Sequence, residues 1–378
     1  MKTSVCSLLG IDLPIFAFSH CRDVVAEVTR AGGMGVLGVA GFTPERLEEE
    51  LAWIDAHCDG KPYGIDILIP NRYSKGPTVA GVDLLQLIPA EHTAFLNRMC
   101  LEAGIAALPQ GEAEQMMRAE LARINMTPDS AAGLIEVAMR HPIKLLVNAL
   151  GTPPKKMVES LQSRGVKVGS MVGSLEHAHA QVNAGVDLLI AQGCEAGGHT
   201  GRVTSMILWP QIVDAVAPLP VLAAGGIGSG RQMAAALAMG AEGIWCGSIW
   251  LGTDKSDLGP DLKARLFAAR AEDAVQSRSV TGKPCRMLRS KFSEAWEQPG
   301  APAPLTMPLQ TLATQETRLR IERARAHEYM SYPVGQVVGD MYRETSVREI
   351  FYSFLQGFIE ASERLSALLE PEQEQEAP

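Results

Sequence analysis

The sequence predicts an α/β chain built as a (β/α)8 TIM barrel, with a helical insertion after the third strand and a helical C-terminal extension. Three observations lead there. Short apolar runs alternate with amphipathic stretches from the first residues to about Leu251. The runs, such as LLIAQG and VLAAGG, lack polar alternation, as parallel strands covered on both faces require. The strand count closes at eight, the number of a (β/α)8 barrel. An open doubly wound sheet is the competitor. It is disfavoured by that count, by Gly-rich turns that come late, and by the absence of a GxGxxG fingerprint after the first strand.

In chain order, the apolar run Leu13–Phe18 is the first strand and the amphipathic Arg22–Ala31 its helix. Met34–Val39 and Pro44–His57 make the second pair, and Tyr63–Ile69 is the third strand. Residues 72–142 then separate the third and fourth strands, far more than an ordinary βα connection. Helical patterns at Glu91–Ala103 and Glu112–Ile124, with turn signals at Gly76-Pro77 and Thr127-Pro128-Asp129, make this an insertion. It is expected to be either a lid on the active face or a solvated decoration. The rhythm resumes with strands Lys144–Leu150, Lys167–Val172, Asp187–Gly193, Pro220–Gly226 and Gly243–Ser248. Helices Pro153–Arg164, Ser174–Ala184, Ser205–Val216 and Gly230–Met239 lie between them. The barrel therefore takes 1–71 and 143–253, the insertion 72–142 and the extension 254–378. The extension reads as helices with a Pro-rich break at Gln298–Pro308 and a polar tail, EPEQEQEAP.

Composition narrows the function classes. Hydrophobic residues at 46% and charged residues at 20% are those of a globular chain. A net charge of −9 argues against nucleic acid or an anionic membrane as partner, which leaves a small molecule. No apolar run reaches the ~20 residues of a spanning helix, and MKTSVCSLLGIDLPIF makes a poor signal peptide. Seven scattered cysteines without a CxxC suggest neither zinc nor a disulfide framework. A soluble cytoplasmic protein without a metal site is expected.

Three segments carry chemistry. The first is Ala191–Gly201, AQGCEAGGHTG, directly after the sixth strand. Glycines 193, 197 and 198 let backbone approach a ligand closely, because no Cβ stands in the way. His199 in this loop sits at the C-terminal mouth of the barrel and titrates near neutral pH, which suits proton transfer at a substrate carbon. Glu195 competes as base or serves only to fix the loop. The second is the pair Gly225-Gly226-Ile227-Gly228 and Gly247-Ser248, after strands seven and eight, where such barrels bind phosphate. The third is Pro14–His20 with Gly32–Gly38, either a lining for a flat aromatic ring or core packing with tight turns. His20 either faces the pocket or begins the first helix. His57, His92, His141, His177 and His179 are expected at the surface, and Gly169–Gly173 is a strand rather than a nucleophile elbow.

AQGCEAGGHTG, followed by LPVLAAGGIGSGRQMAAALAMGAEGIWCGSIWLGT, resembles the nitronate monooxygenase (2-nitropropane dioxygenase) family of FMN-dependent TIM-barrel oxidoreductases, relatives of the FMN-dependent enoyl-ACP reductases. The likeness covers residues 8–70 and 143–295, and RSVTGKPCRMLRSKF at Arg278–Phe292 is similar to the family's C-terminal segment. The resemblance implies a flavoprotein with FMN at the barrel mouth and its phosphate at Gly225, Gly226, Gly247 and Ser248. It also implies flavin contacts from Ala17, Phe18, Ser19, Lys167 and Gln192, and an acid–base role for His199. The implied reaction is oxidation of nitronates or nitroalkanes with O2. The alternative is NAD(P)H-dependent reduction of an activated C=C or a quinone, and a lesser one is a non-redox barrel that binds a phosphate ligand. Two positions depart from the family pattern: Phe16-Ala17-Phe18 lacks its methionine, and Gly64-Ile65-Asp66 replaces its Gly-Val-Asn.

Overall fold

The computed structural model of the chain describes residues 2–68, 84–109, 111–113, 115, 116 and 128–369. Eight parallel strands close into a barrel in the order β1 (Ile15–Ser19), β2 (Met34–Gly38), β3 (Gly64–Leu68), β4 (Leu145–Leu150), β5 (Lys167–Val172), β6 (Leu188–Gln192), β8 (Val221–Ala224) and β9 (Gly243–Cys246). Each lies within two residues of the strand that its apolar run predicts. A two-residue strand, β7 (Gly198–His199), leaves the barrel after β6. It pairs antiparallel with β11 (Cys285–Leu288), which pairs with β10 (Ala274–Ser277).

Period-two alternation sorts the strand residues into two cores. Phe16, Met34, Val36, Leu145, Val147, Leu188, Ile190, Leu222, Ala224 and Trp245 pack inside the barrel. Ile15, Ala17, Leu37, Ile65, Ile67, Leu146, Val168, Leu189 and Ala223 face outward into the helical layer. Every one of these side chains is at most 4% exposed, and each contributes about 1.5–3 kcal/mol for the larger aliphatic and aromatic groups. A short N-terminal helix, Ser4–Leu9, adds Val5, Cys6 and Leu9 to the inner core. The Thr3 hydroxyl donates to the Glu242 carbonyl at 2.5 Å, just ahead of β9, so this helix closes the N-terminal end of the barrel. The opposite, C-terminal end is the mouth.

Three features differ from the sequence expectation. The helix Pro128–Ala138 places Ala131, Leu134, Val137 and Ala138 in the outer core, where it packs beside Pro44–His57. It is the barrel's own third helix, so the insertion ends before it; only its turn signal was legible. Within the insertion, the expected Glu91–Ala103 helix is Ala90–Glu102, whereas 114 and 117–124 of the expected Glu112–Ile124 helix lie outside the described residues. The C-terminal extension is helical, but it also carries β10 and β11. Finally, His92 is 3% exposed and its Nε2–H donates to the Ala303 carbonyl at 2.9 Å, and the His141 side chain is 7% exposed against Asp55 at 2.7 Å, so neither is a surface residue.

The extension returns to the barrel at two places. Its helix Leu309–Arg323 packs on Ala90–Glu102, with Phe95, Leu96 and Met99 meeting Phe292, Trp296 and Ile321. Its last helix, Val347–Ala367, crosses Gly230–Ala238 so closely that a Cβ on Gly230 would lie 2.1 Å from the Phe354 carbonyl oxygen. Among the described residues, no helix is long and apolar enough to cross a membrane.

Candidate active site

The floor of the mouth is aromatic. Phe16 and Phe18, alternate residues of β1, face the interior, and both rings stack on Trp245 of β9 at 6.2 and 6.3 Å. His20, just past β1, meets Phe18 edge-on at 5.1 Å, and its Nδ1 lies 2.7 Å from the Gly38 carbonyl. A Cβ on Gly38 would fall 2.8 Å from both rings, so the glycine at the end of β2 is what lets them pack there. His20 therefore belongs to the rim of the mouth. The same alternation brings Met171 of β5 and Gln192 of β6 to the interior side near the mouth.

Two of the implied flavin contacts are not brought to this floor. Lys167 is the first residue of β5, at the closed end of the barrel, where its ammonium pairs with Asp187 at 3.1 Å. The side chain of Ala17 points into the outer core. Ser19 lies at the end of β1, and its hydroxyl accepts the Cys21 N–H at 3.1 Å, turning the chain into the Arg22–Arg30 helix.

The glycine loops divide into two groups. Some glycines are required by neighbouring protein. A Cβ on Gly193 would lie 2.0 Å from the Ser205 hydroxyl, one on Gly225 2.8 Å from the same atom, and one on Gly197 2.8 Å from the Val334 and Gly335 backbone. Others keep space at the mouth. Beside Gly247 the nearest atom would be a Phe18 carbon at 3.8 Å, and beside Gly198 there is none within 4 Å. Gly226 has φ +70°, which a side chain would strain, and a Cβ there would meet only the Glu195 side chain, at 3.3 Å.

Glu195 is committed to structure. Its carboxylate accepts the Ser205 N–H at 3.0–3.1 Å and the Ser205 hydroxyl at 2.9 Å, at the N-terminus of Ser205–Val216. That is where a helix favours negative charge. This leaves His199 as the loop's remaining candidate base. Its Nε2 is 2.8 Å from the Thr281 hydroxyl, and that hydroxyl is 3.2 Å from the Lys283 carbonyl. With Thr281 donating to Lys283, Nε2–H donates to Thr281 and Nδ1 is left as the basic nitrogen. The ring edge is open to solvent, yet surrounding protein and the Lys283 ammonium push its pKa below the ordinary value, so the imidazole is neutral at pH 7.

Sequence reasoning missed two parts of this site. One is Thr281, which only the β7–β11 pairing brings to His199. The other is the segment Val334–Val337, which runs across all three loops: the Gly335 N–H donates to the Ser248 hydroxyl at 2.8 Å, the Gln336 N–H donates to the Glu195 carbonyl at 2.9 Å, and Val337 fills the space beside Gly228. Ser248 thus accepts from Gly335 and keeps its own proton to donate.

Comparison with known proteins gives the same direction. The nitronate monooxygenase family profile matches residues 11–357. A putative monooxygenase of Mycobacterium tuberculosis, Rv1533, is 45% identical over 98% of this chain and all of its own length. A probable nitronate monooxygenase of Staphylococcus saprophyticus is 29% identical over 77% of this chain and 80% of its own. Among solved structures, nitroalkane oxidase from Streptomyces ansochromogenes aligns with a TM-score of 0.77 at 25% identity, covering 96% of this chain and 99% of that one. FabK from Thermotoga maritima aligns with a TM-score of 0.73 at 26% identity, covering 97% and 99%. An oxidoreductase barrel with a histidine at its rim, matched along nearly its whole length by these relatives, this chain belongs to the nitronate monooxygenase family.

Proposed function

We propose that the chain is an FMN-dependent oxidoreductase that oxidises nitronates and nitroalkanes with O2. The residues present fit the cofactor. Phe16, Phe18 and Trp245 offer a flat apolar floor, and the space beside Gly247 and Gly198 is open at the mouth. Gly226, Gly247 and the Ser248 hydroxyl, which accepts from Gly335 and keeps its own proton, are the groups that would hold a single phosphate. FMN, when bound, supplies the two-electron redox chemistry.

The observation that carries the reading is His199, a neutral imidazole at the rim with one nitrogen anchored and the other free. For a neutral nitroalkane, Nδ1 removes the α-proton, and the Thr281 hydroxyl keeps the ring oriented as charge builds on it. The preformed nitronate has already lost that proton and needs only binding and orientation. The insertion restricts access. Its helix Ala90–Glu102 leans on Leu309–Arg323, which is tied to the Ser279 and Val280 carbonyls through Gln310 and Thr314, one residue from Thr281.

A second reading on the same barrel is NAD(P)H-dependent reduction of an activated C=C or a quinone, with His199 as proton donor; similarity to the FMN-dependent enoyl-ACP reductases favours it. Purified protein should be yellow and release FMN, not FAD, on denaturation. Anaerobic mixing with a nitronate should bleach the flavin spectrum; bleaching by NADH or NADPH alone would select the second reading, and a colourless protein that takes up no FMN would reject both.

A further inference from the structure

Asp66 is the one carboxylate on the interior face of the barrel strands among the described residues. It stands in register with Gly38 of β2 and Val147 of β4, and Val147 belongs to the inner core, whereas its neighbours Ile65 and Ile67 face the outer one. It is 4% exposed, and its Oδ2 has no hydrogen-bond partner among the described residues. Other polar groups on the same face do not reach it as counter-ions. Lys167 is at the closed end on Asp187, His20 is held by the Gly38 carbonyl, and Gln192 is uncharged. Among the described residues no cation near Asp66 offsets its burial, and desolvation raises its pKa well above the ordinary carboxylate value.

An isolated carboxylate in such a place would be costly, and a buried donor without an acceptor is costly too. Buried polar groups left without a partner are rare in native structures, and a functional role is one reason such a group is kept. We infer that Asp66 is a neutral carboxylic acid set in the floor of the ring site, where it donates its proton in a hydrogen bond to an acceptor atom of the bound flavin ring. Its register partner Gly38 puts no side chain against it, and the Phe18 and His20 rings of the floor pack beside that glycine, so the acid lies next to the ring site. The inference rests on the FMN reading and adds to it a specific partner supplied by this chain, at a position where the family pattern has an amide. An amide donates a hydrogen bond whatever the pH; an acid does so only while it holds its proton.

The test uses the full-length protein stripped of flavin and reconstituted with FMN, with Asp66→Asn and Asp66→Leu beside wild type. Asp66→Asn keeps a donor and should bind FMN within about threefold of wild type; Asp66→Leu removes it and should bind roughly tenfold more weakly. Because Leu also removes the unpartnered group, apoprotein carrying Asp66→Leu should melt at a higher temperature than wild type while gaining less from added FMN. Infrared difference spectra of wild type against Asp66→Asn at pH 7 should show the C=O band of a protonated carboxyl, moving to lower frequency when FMN is added. An ionised carboxylate in that spectrum, or Asp66→Leu binding FMN as tightly as wild type, overturns the inference while leaving the flavin reading intact. Failure of wild type itself to bind FMN overturns both.

Discussion

Replacing His199 with asparagine separates proton removal from everything else the site does. The variant loses one rim hydrogen bond, from Nε2 to the Thr281 hydroxyl at 2.8 Å, worth about 1 kcal/mol or less in stability. Strand β7 is held to β11 by backbone pairing of Gly198 and His199 with Arg286 and Cys285, which the substitution leaves in place. Folding and flavin content should therefore be close to wild type. Catalysis should not. A positioned base contributes roughly 10²–10⁴-fold, or about 2.7–5.4 kcal/mol of barrier at 1.36 kcal/mol per tenfold. Anaerobic flavin reduction by a neutral nitroalkane should slow by that factor, and reduction by the preformed nitronate by much less. The pH profile follows from the direction of the pKa shift. Because burial and Lys283 lower it, His199 is the free base through neutrality, and the nitroalkane rate falls only as pH drops through a value below the ordinary 6.5. Lys283→Gln should move that acid limb upward. A fully flavinated His199→Asn protein that is reduced by nitroalkane at the wild-type rate would refute the assignment.

Glu195→Gln should cost about 1–2 kcal/mol of stability by chemical denaturation, through the weakened grip on the Ser205 N–H and hydroxyl, with nitroalkane oxidation reduced less than tenfold; a loss matching that of His199→Asn would make Glu195 the base. Gly226→Leu must adopt φ +70° against the Glu195 side chain, a strain of about 1–2 kcal/mol, and should lower FMN occupancy measured by absorbance; full occupancy would remove Gly226 from the phosphate site. Arg320 is buried and ties the insertion down, donating to the Ala106 and Ile105 carbonyls and to Asn97 at 2.9–3.1 Å. Arg320→Met should lose about 3 kcal/mol, raise hydrogen exchange across 90–106 and widen the range of nitroalkanes accepted; unchanged exchange would contradict the tie.

The barrel was legible because buried parallel strands leave continuous apolar runs, and Leu188–Gln192 and Val221–Ala224 are such runs. The glycine–histidine loop and the glycine turn at Gly225 were legible for a related reason, since Gly193, Gly197 and Gly225 mark places of close approach. What those glycines touch could not be read. Glycine signals close approach without naming the partner, and here several of the partners are Ser205 and the Val334–Gly335 segment. Lys167 is a flavin contact only by the resemblance; as the first residue of β5 it lies at the closed end, paired with Asp187. Thr281 and Gln336 carry no local signal at all, being brought to the site by antiparallel pairing and a return of the extension more than 80 residues from His199.

The central claim, that this barrel takes electrons from a nitronate through FMN, is tested most directly by one anaerobic mixing experiment. The purified, flavin-loaded protein is mixed with a secondary nitronate in one syringe and with NADH or NADPH in another, and the flavin absorbance is followed without oxygen. The account predicts rapid bleaching by the nitronate, return of the oxidised spectrum when O2 is admitted, and little change with either nicotinamide. Bleaching by NADH or NADPH with none by the nitronate would contradict it.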